Sequence, residues 1–77
     1  MPRSKTRRFD DVTWTIRQAV HQGYYGCAWN PHTGQELHVT PALPSVVEVR
    51  AQLKSELCRI LKVPLDVPIE STDGARL

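Results

Sequence analysis

The side chains in this 77-residue chain best suited to chemistry are Cys27, His32, His38 and Cys58. Cys27-x4-His32-x5-His38 wraps a turn at a spacing near that of tetrahedral zinc ligands, with Cys58 available as a fourth. Against this, there is no CxxC pair. An isolated cysteine on an apolar strand and another inside a helix read as small core residues, which is the weightier reading. A Cys27–Cys58 disulfide requires strand and helix to touch there, and a chain with no secretory signal is expected to keep its thiols reduced. Cys27 with one of the three histidines is the sole candidate nucleophile and base, and no motif supports the pair. Asp10 and Asp11 are adjacent acids of the kind that solvate or cap. Gly23, Gly26 and Gly34 do not precede a helix at a phosphate-cradling spacing. The expectation is a protein that is not an enzyme and carries no metal or cofactor.

Contact chemistry is better represented. Tyr24 and Tyr25 are adjacent, so on a strand only one ring points inward. Taking Tyr25 as the inward one leaves Tyr24, with His21, Gln22 and His32, as a candidate patch for a protein partner, because tyrosine brings large area at low entropic cost. A second patch is electrostatic. Arg3, Lys5, Arg7 and Arg8 precede the first acid, whereas residues 9–77 hold six basic and eight acidic side chains. A basic arm of this kind attracts phosphate, and Arg17, Asn30 and His38 on the sheet would extend it into a nucleic-acid surface. The competing reading is a solvated terminus.

These residues must be positioned by a small set of elements. Val12 to Arg17 alternates apolar with polar and is rich in β-branched residues, which predicts a strand with Val12, Trp14 and Ile16 on one face. Val12, Ile16, Ala19 and Val20 also fall at helical spacing, so residues 12–22 keep a helical alternative, weakened by the β-branched side chains. Tyr24 to Trp29 predicts a second strand with Tyr25, Cys27 and Trp29 inward. Asn30 to Gly34 is a turn, and Gln35 to Thr40 a third strand burying Leu37 and Val39. Ser45 with Glu48 makes a capping box that opens a helix over 45–62. Its stripe of Val46, Val49, Leu53, Leu57, Ile60 and Leu61 is expected to cover Trp14, Trp29, Leu37 and Val39. Pro64 ends it, and 63–69 reads as an extended edge or strap.

The predicted architecture is therefore α+β: a three-stranded antiparallel sheet against one helix, in the order βββα. The expected organisation is a flexible basic arm over 1–9, one domain over 10–70 and a frayed tail over 71–77. At 40% apolar and 23% charged residues the composition is globular, and no long apolar run is present to span a membrane. The basic start leads into Asp10-Asp11 rather than an apolar stretch, so a cytoplasmic location is expected. Open strand edges and a small core predict a homodimer or a partner.

Gly23-Tyr24-Tyr25, Pro31, Gly34 and the helix opening at Ser45 together resemble the N-terminal domain of HicB-type antitoxins, over about half the chain. The strand order is also similar in topology to the three-stranded DNA-binding domains of tyrosine-type integrases and AP2-type transcription factors. The first resemblance implies a small regulatory protein of a bacterial or mobile element that binds a protein and acts by steric occlusion. The second implies a nucleic-acid binder. A homodimeric structural subunit is the third expectation.

Overall fold

The computed structural model describes residues 6–77. Six elements follow in order: β1 (Arg7–Arg8), β2 (Thr13–Gln18), β3 (Tyr24–Trp29), β4 (Glu36–Val39), α1 (Val46–Leu61) and β5 (Ile69–Glu70). Strands β2, β3 and β4 form an antiparallel sheet with β3 in the middle, and α1 packs across one face of it. The predicted βββα arrangement is thus observed, and residues 13–18 are strand.

Local chemistry explains the turns and caps. Gly23 has φ +84°, and a Cβ there would lie 2.5 Å from the Leu43 carbonyl oxygen, so the β2–β3 turn needs glycine for both conformation and space. The Asn30 side-chain oxygen accepts from the amides of His32 and Thr33, holding the β3–β4 turn. At the helix start the Ser45 hydroxyl accepts from the Glu48 amide. The Glu48 carboxylate accepts from that same hydroxyl at 3.3 Å, where a full capping box would have it reach the Ser45 amide. Lys62 closes the helix in the left-handed conformation, its amide donating to the Cys58 carbonyl.

The sheet faces differ from expectation in β3. Gly26 and Ala28 are buried under the helix, and a Cβ on Gly26 would stand 2.9 Å from Val49 Cγ1 and 3.2 Å from Leu53 Cδ2. Because side chains alternate, Tyr25, Cys27 and Trp29 therefore point to the opposite face. The helix approaches closely over the two smallest residues of the strand, and the large ones are displaced outward. Cross-strand register carries this through the sheet. Trp14 opposes Ala28 on the helix side, while Thr15 and Val39 oppose Cys27 on the outer side. Val39 is 41% exposed, not core. The register slips between Ala28 and Trp29, so that Trp29 faces Glu36 and Ala28 faces His38.

The core is accordingly Val12, Trp14, Ala28, Leu53, Leu57, Cys58 and Ile69, with Phe9, Leu37, Leu61 and Leu77 packed against it. Val49 and Val63 are also buried, whereas Val46, assigned to the stripe from sequence, is exposed.

The ends of the described chain are stitched together. β1 runs parallel to β5, with the Arg7 amide donating to the Pro68 carbonyl (2.8 Å) and the Phe9 amide to that of Glu70 (3.0 Å). On the other edge of β5, Ile69 and Leu77 exchange both backbone hydrogen bonds, at 2.8 and 3.0 Å. Residues 71–77 are thus a hairpin return, not a frayed tail, and Arg7 to Phe9 are paired, not a loose arm. Thr72 ties this corner to the sheet: its amide donates to the Val12 carbonyl (2.9 Å) and its hydroxyl to that of Asp10 (2.7 Å).

Candidate functional site

The residues that sequence spacing grouped for metal or thiol chemistry are separated by the sheet. Cys27 lies on the outer face, Cys58 is buried on the helix side, and His38 opposes Ala28 on the helix side. His32 sits in the β3–β4 turn, with its Nε2 2.9 Å from the Asp10 carbonyl oxygen. Cys27 and Cys58 are free and on opposite sides of the sheet, which leaves no geometry for a disulfide. Among the described residues no cluster of three or more histidine, cysteine or acidic side chains is placed to hold a metal ion. Burial pushes the Cys58 thiol pKa up, and its Sγ points toward the Pro64 carbonyl at 3.7 Å, as befits an unreactive core thiol.

The predicted protein-contact patch is only partly assembled. Gln22, Gly23 and Tyr24 line an open depression of about 520 Å³ with Ala42, Leu43 and Pro44, where the β2–β3 turn meets the approach to the helix. The Tyr24 and Leu43 backbones exchange two hydrogen bonds of 2.8 Å beneath it. His21 is exposed in the same turn, but His32 lies at the far end of β3. Tyr24 shares the helix side of the strand with Gly26, so Tyr25 is the tyrosine on the open face.

The predicted nucleic-acid surface is not gathered either. Arg3 and Lys5 lie outside the described residues. Arg8 is engaged by Asp10 at 3.6 Å and Glu70 at 3.9 Å. The Arg7 guanidinium stands 5.9 Å from the centre of the Phe9 ring. Asn30 is committed to its turn, and His38 is turned toward the helix. Arg17 alone projects from the outer sheet face, opposite Tyr25 and at the other end of β2 from the arm.

What the fold does assemble is the outer face itself. Thr13, Thr15, Tyr25, Cys27, Trp29 and Val39 form a contiguous surface with no charge at its centre, and the first five are half-buried, with Val39 more open. Two charges border it. Arg17 stands at the Tyr25 end on β2, and Glu36 at the Trp29 end on β4. Neither is in an ion pair among the described residues. Sequence reasoning missed this face because it assigned the large side chains of β3 to the core. The signal that would have found it is the pairing of Gly26 and Ala28 at the same parity.

No family model, curated protein or solved structure matches the chain. No helix among the described residues is long and apolar enough to cross a membrane.

Proposed function

We propose that this chain is a small, non-enzymatic interaction protein of regulatory type, whose outer sheet face is a protein-contact surface. The observation that carries this reading is that α1 covers one face of the sheet while the other bears Tyr25, Cys27, Trp29 and Val39 half-exposed around a charge-free centre. Depletion of charge at the centre with aromatic enrichment is the composition of protein contact surfaces. Exposed contiguous apolar patches on small domains mark such sites. The resemblance to HicB-type antitoxins, which bind proteins, supports the same class.

Nucleic-acid binding is less well supported, because among the described residues the outer face offers only Arg17 and Arg8 is paired with Asp10 and Glu70. Phosphate approach requires several arginines or lysines on one surface. The test replaces Tyr25 and Trp29 by serine and follows capture of protein partners from the native host alongside oligonucleotide binding at two salt concentrations. The expected result is loss of protein capture with the far-ultraviolet circular dichroism of the parent retained. Salt-dependent oligonucleotide binding that survives these changes would favour the arm instead.

A further inference from the structure

We propose that the protein seated on the outer sheet face is a second copy of this chain, in a face-to-face dimer held at its corners by Arg17 of each copy against Glu36 of the other. The proposal rests on the outer face being a protein contact and names its occupant.

The placement of charge on the face is the ground for it. Cys27 is the central residue of the central strand, opposite Thr15 on one side and Val39 on the other. Arg17 and Glu36 occupy diagonally opposite corners about it, since Arg17 opposes Tyr25 across β2–β3 and Glu36 opposes Trp29 across β3–β4. With a rise of about 3.3 Å per residue and strands about 4.8 Å apart, the corners are separated by about 13 Å along the strands and about 10 Å across them. A two-fold axis that lies in the interface, perpendicular to that diagonal and over Cys27, exchanges the corners. Each Arg17 then meets the partner's Glu36, and no like charges meet. Self-complementarity of this kind is what an isologous interface requires.

The same operation stacks two apolar sheet faces at the usual separation of about 10 Å, with strands crossing steeply as in orthogonal sheet packings. Tyr25 and Trp29, half-buried on the outer face of an isolated chain, become the inner layer of a four-layer particle, helix–sheet–sheet–helix. The arrangement also supplies the burial that a core of nine hydrophobic residues lacks. The two Cys27 side chains come to lie on the axis, facing one another.

Charge exchange provides the test. Sedimentation across micromolar to millimolar concentrations is expected to show a concentration-dependent dimer for the parent chain. R17E and E36R each place like charges at both corners and are expected to raise the dissociation constant about tenfold or more. An equimolar mixture of R17E and E36R restores both corner pairs and is expected to dimerise as the parent does, which a change in fold would not produce. Cys27 should react with a maleimide in the dilute, monomeric chain and be protected at concentrations where the dimer forms, and the signal should vanish with Cys27→Ser, because Cys58 is buried. A parent chain that stays monomeric, or a dimer indifferent to the charge changes, or a mixture that does not re-associate, would overturn the proposal. If the monomeric chain still captures another protein through Tyr25 and Trp29, the occupant is wrong and the face reading stands. If the chain dimerises but serine at Tyr25 and Trp29 leaves the dimer intact, the dimer uses another surface and the proposal falls, whereas the face reading itself fails only if those serine changes also leave protein capture intact.

Discussion

At the scale of single residues, His38 carries the clearest liability. Its Nε2 is shielded from solvent without a hydrogen-bond partner, on the side of β4 that faces the helix. Enclosing a polar atom unpaired forfeits its hydration, so replacing the ring by an apolar side chain of similar reach removes a cost. His38→Leu is expected to raise the free energy of unfolding by about 1 kcal/mol, read by urea denaturation. A decrease would mean that the imidazole makes a contact worth more than its desolvation. Ser71 offers the opposite case. Fully buried at the hairpin corner, its hydroxyl donates to the Asp73 carboxylate. That hydrogen bond, reinforced by backbone amides, holds the Asp73 carboxyl below the ordinary aspartate range. A depressed folded value means that the carboxylate contributes stability above its unfolded pKa and loses it as pH falls through the folded one. Ser71→Ala should therefore flatten the acid limb of a stability–pH profile below about pH 4, and an unchanged acid limb would show that the contact carries no linkage.

At the scale of elements, the approach of α1 to β3 is set by side-chain size. A Cβ on Gly26 would come within 2.9 Å of Val49 Cγ1 and 3.2 Å of Leu53 Cδ2, so a side chain there must push one of them aside. Gly26→Val is expected to cost about 1–3 kcal/mol through overpacking, measured by thermal or chemical unfolding. If the change were neutral, the helix would have to sit further from the sheet than described. Two opposing signals competed in this strand, and the wrong one is easily preferred. Existence, order and type of β2, β3, β4 and α1 were legible, because period-2 and period-3.6 patterns and the Ser45 cap are strong local signals. Which face of β3 was buried was not, because large apolar side chains are ordinarily taken as core, whereas here steric access to the helix selected Gly26 and Ala28. The candidate face was lost with it, and His38 was assigned to solvent by the same shift of parity, compounded by the irregular register beside Trp29. The return at 71–77 was legible in principle. Asp73-Gly74 is a hairpin-turn pair flanked by Ile69 and Leu77, and Gly74 adopts φ +90°.

At the scale of the whole molecule, two independent pieces of backbone pairing complete the domain: the β2–β3–β4 meander, built from neighbours in sequence, and the corner where β1 and residues 75–77 flank β5. The second joins residues sixty or more positions apart, through Arg7–Ile69 and through Thr72 to Asp10 and Val12. Loop-closure entropy grows only slowly with length, so such contacts burden the rate of folding more than stability. Ile69 is their anchor, fully buried in the core between the two flanking segments.

That corner also makes the chain almost a ring. Arg7 and Leu77 lie on either side of one two-residue strand, about 10 Å apart by strand spacing. Meanwhile the turn at Thr33-Gly34 is exposed, and a Cβ on Gly34 would touch nothing within 4 Å. A permutant that links residue 77 to residue 6 through a short glycine-serine bridge and opens between Thr33 and Gly34 is expected to fold to the parent's near-ultraviolet circular dichroism. In it β5 and β1 become near neighbours in sequence, but β3 and β4, joined by one turn in the parent, move to opposite ends of the chain, so refolding should be slower than in the parent, as measured by stopped-flow tryptophan fluorescence. A faster refolding would show that the corner, and not the meander, governs the barrier. In that permutant the outer face would be opened at its Trp29 end, while the corner bearing Arg17 kept its covalent surroundings. The two ends of the same surface can thus be loosened one at a time by the choice of where the ring is cut.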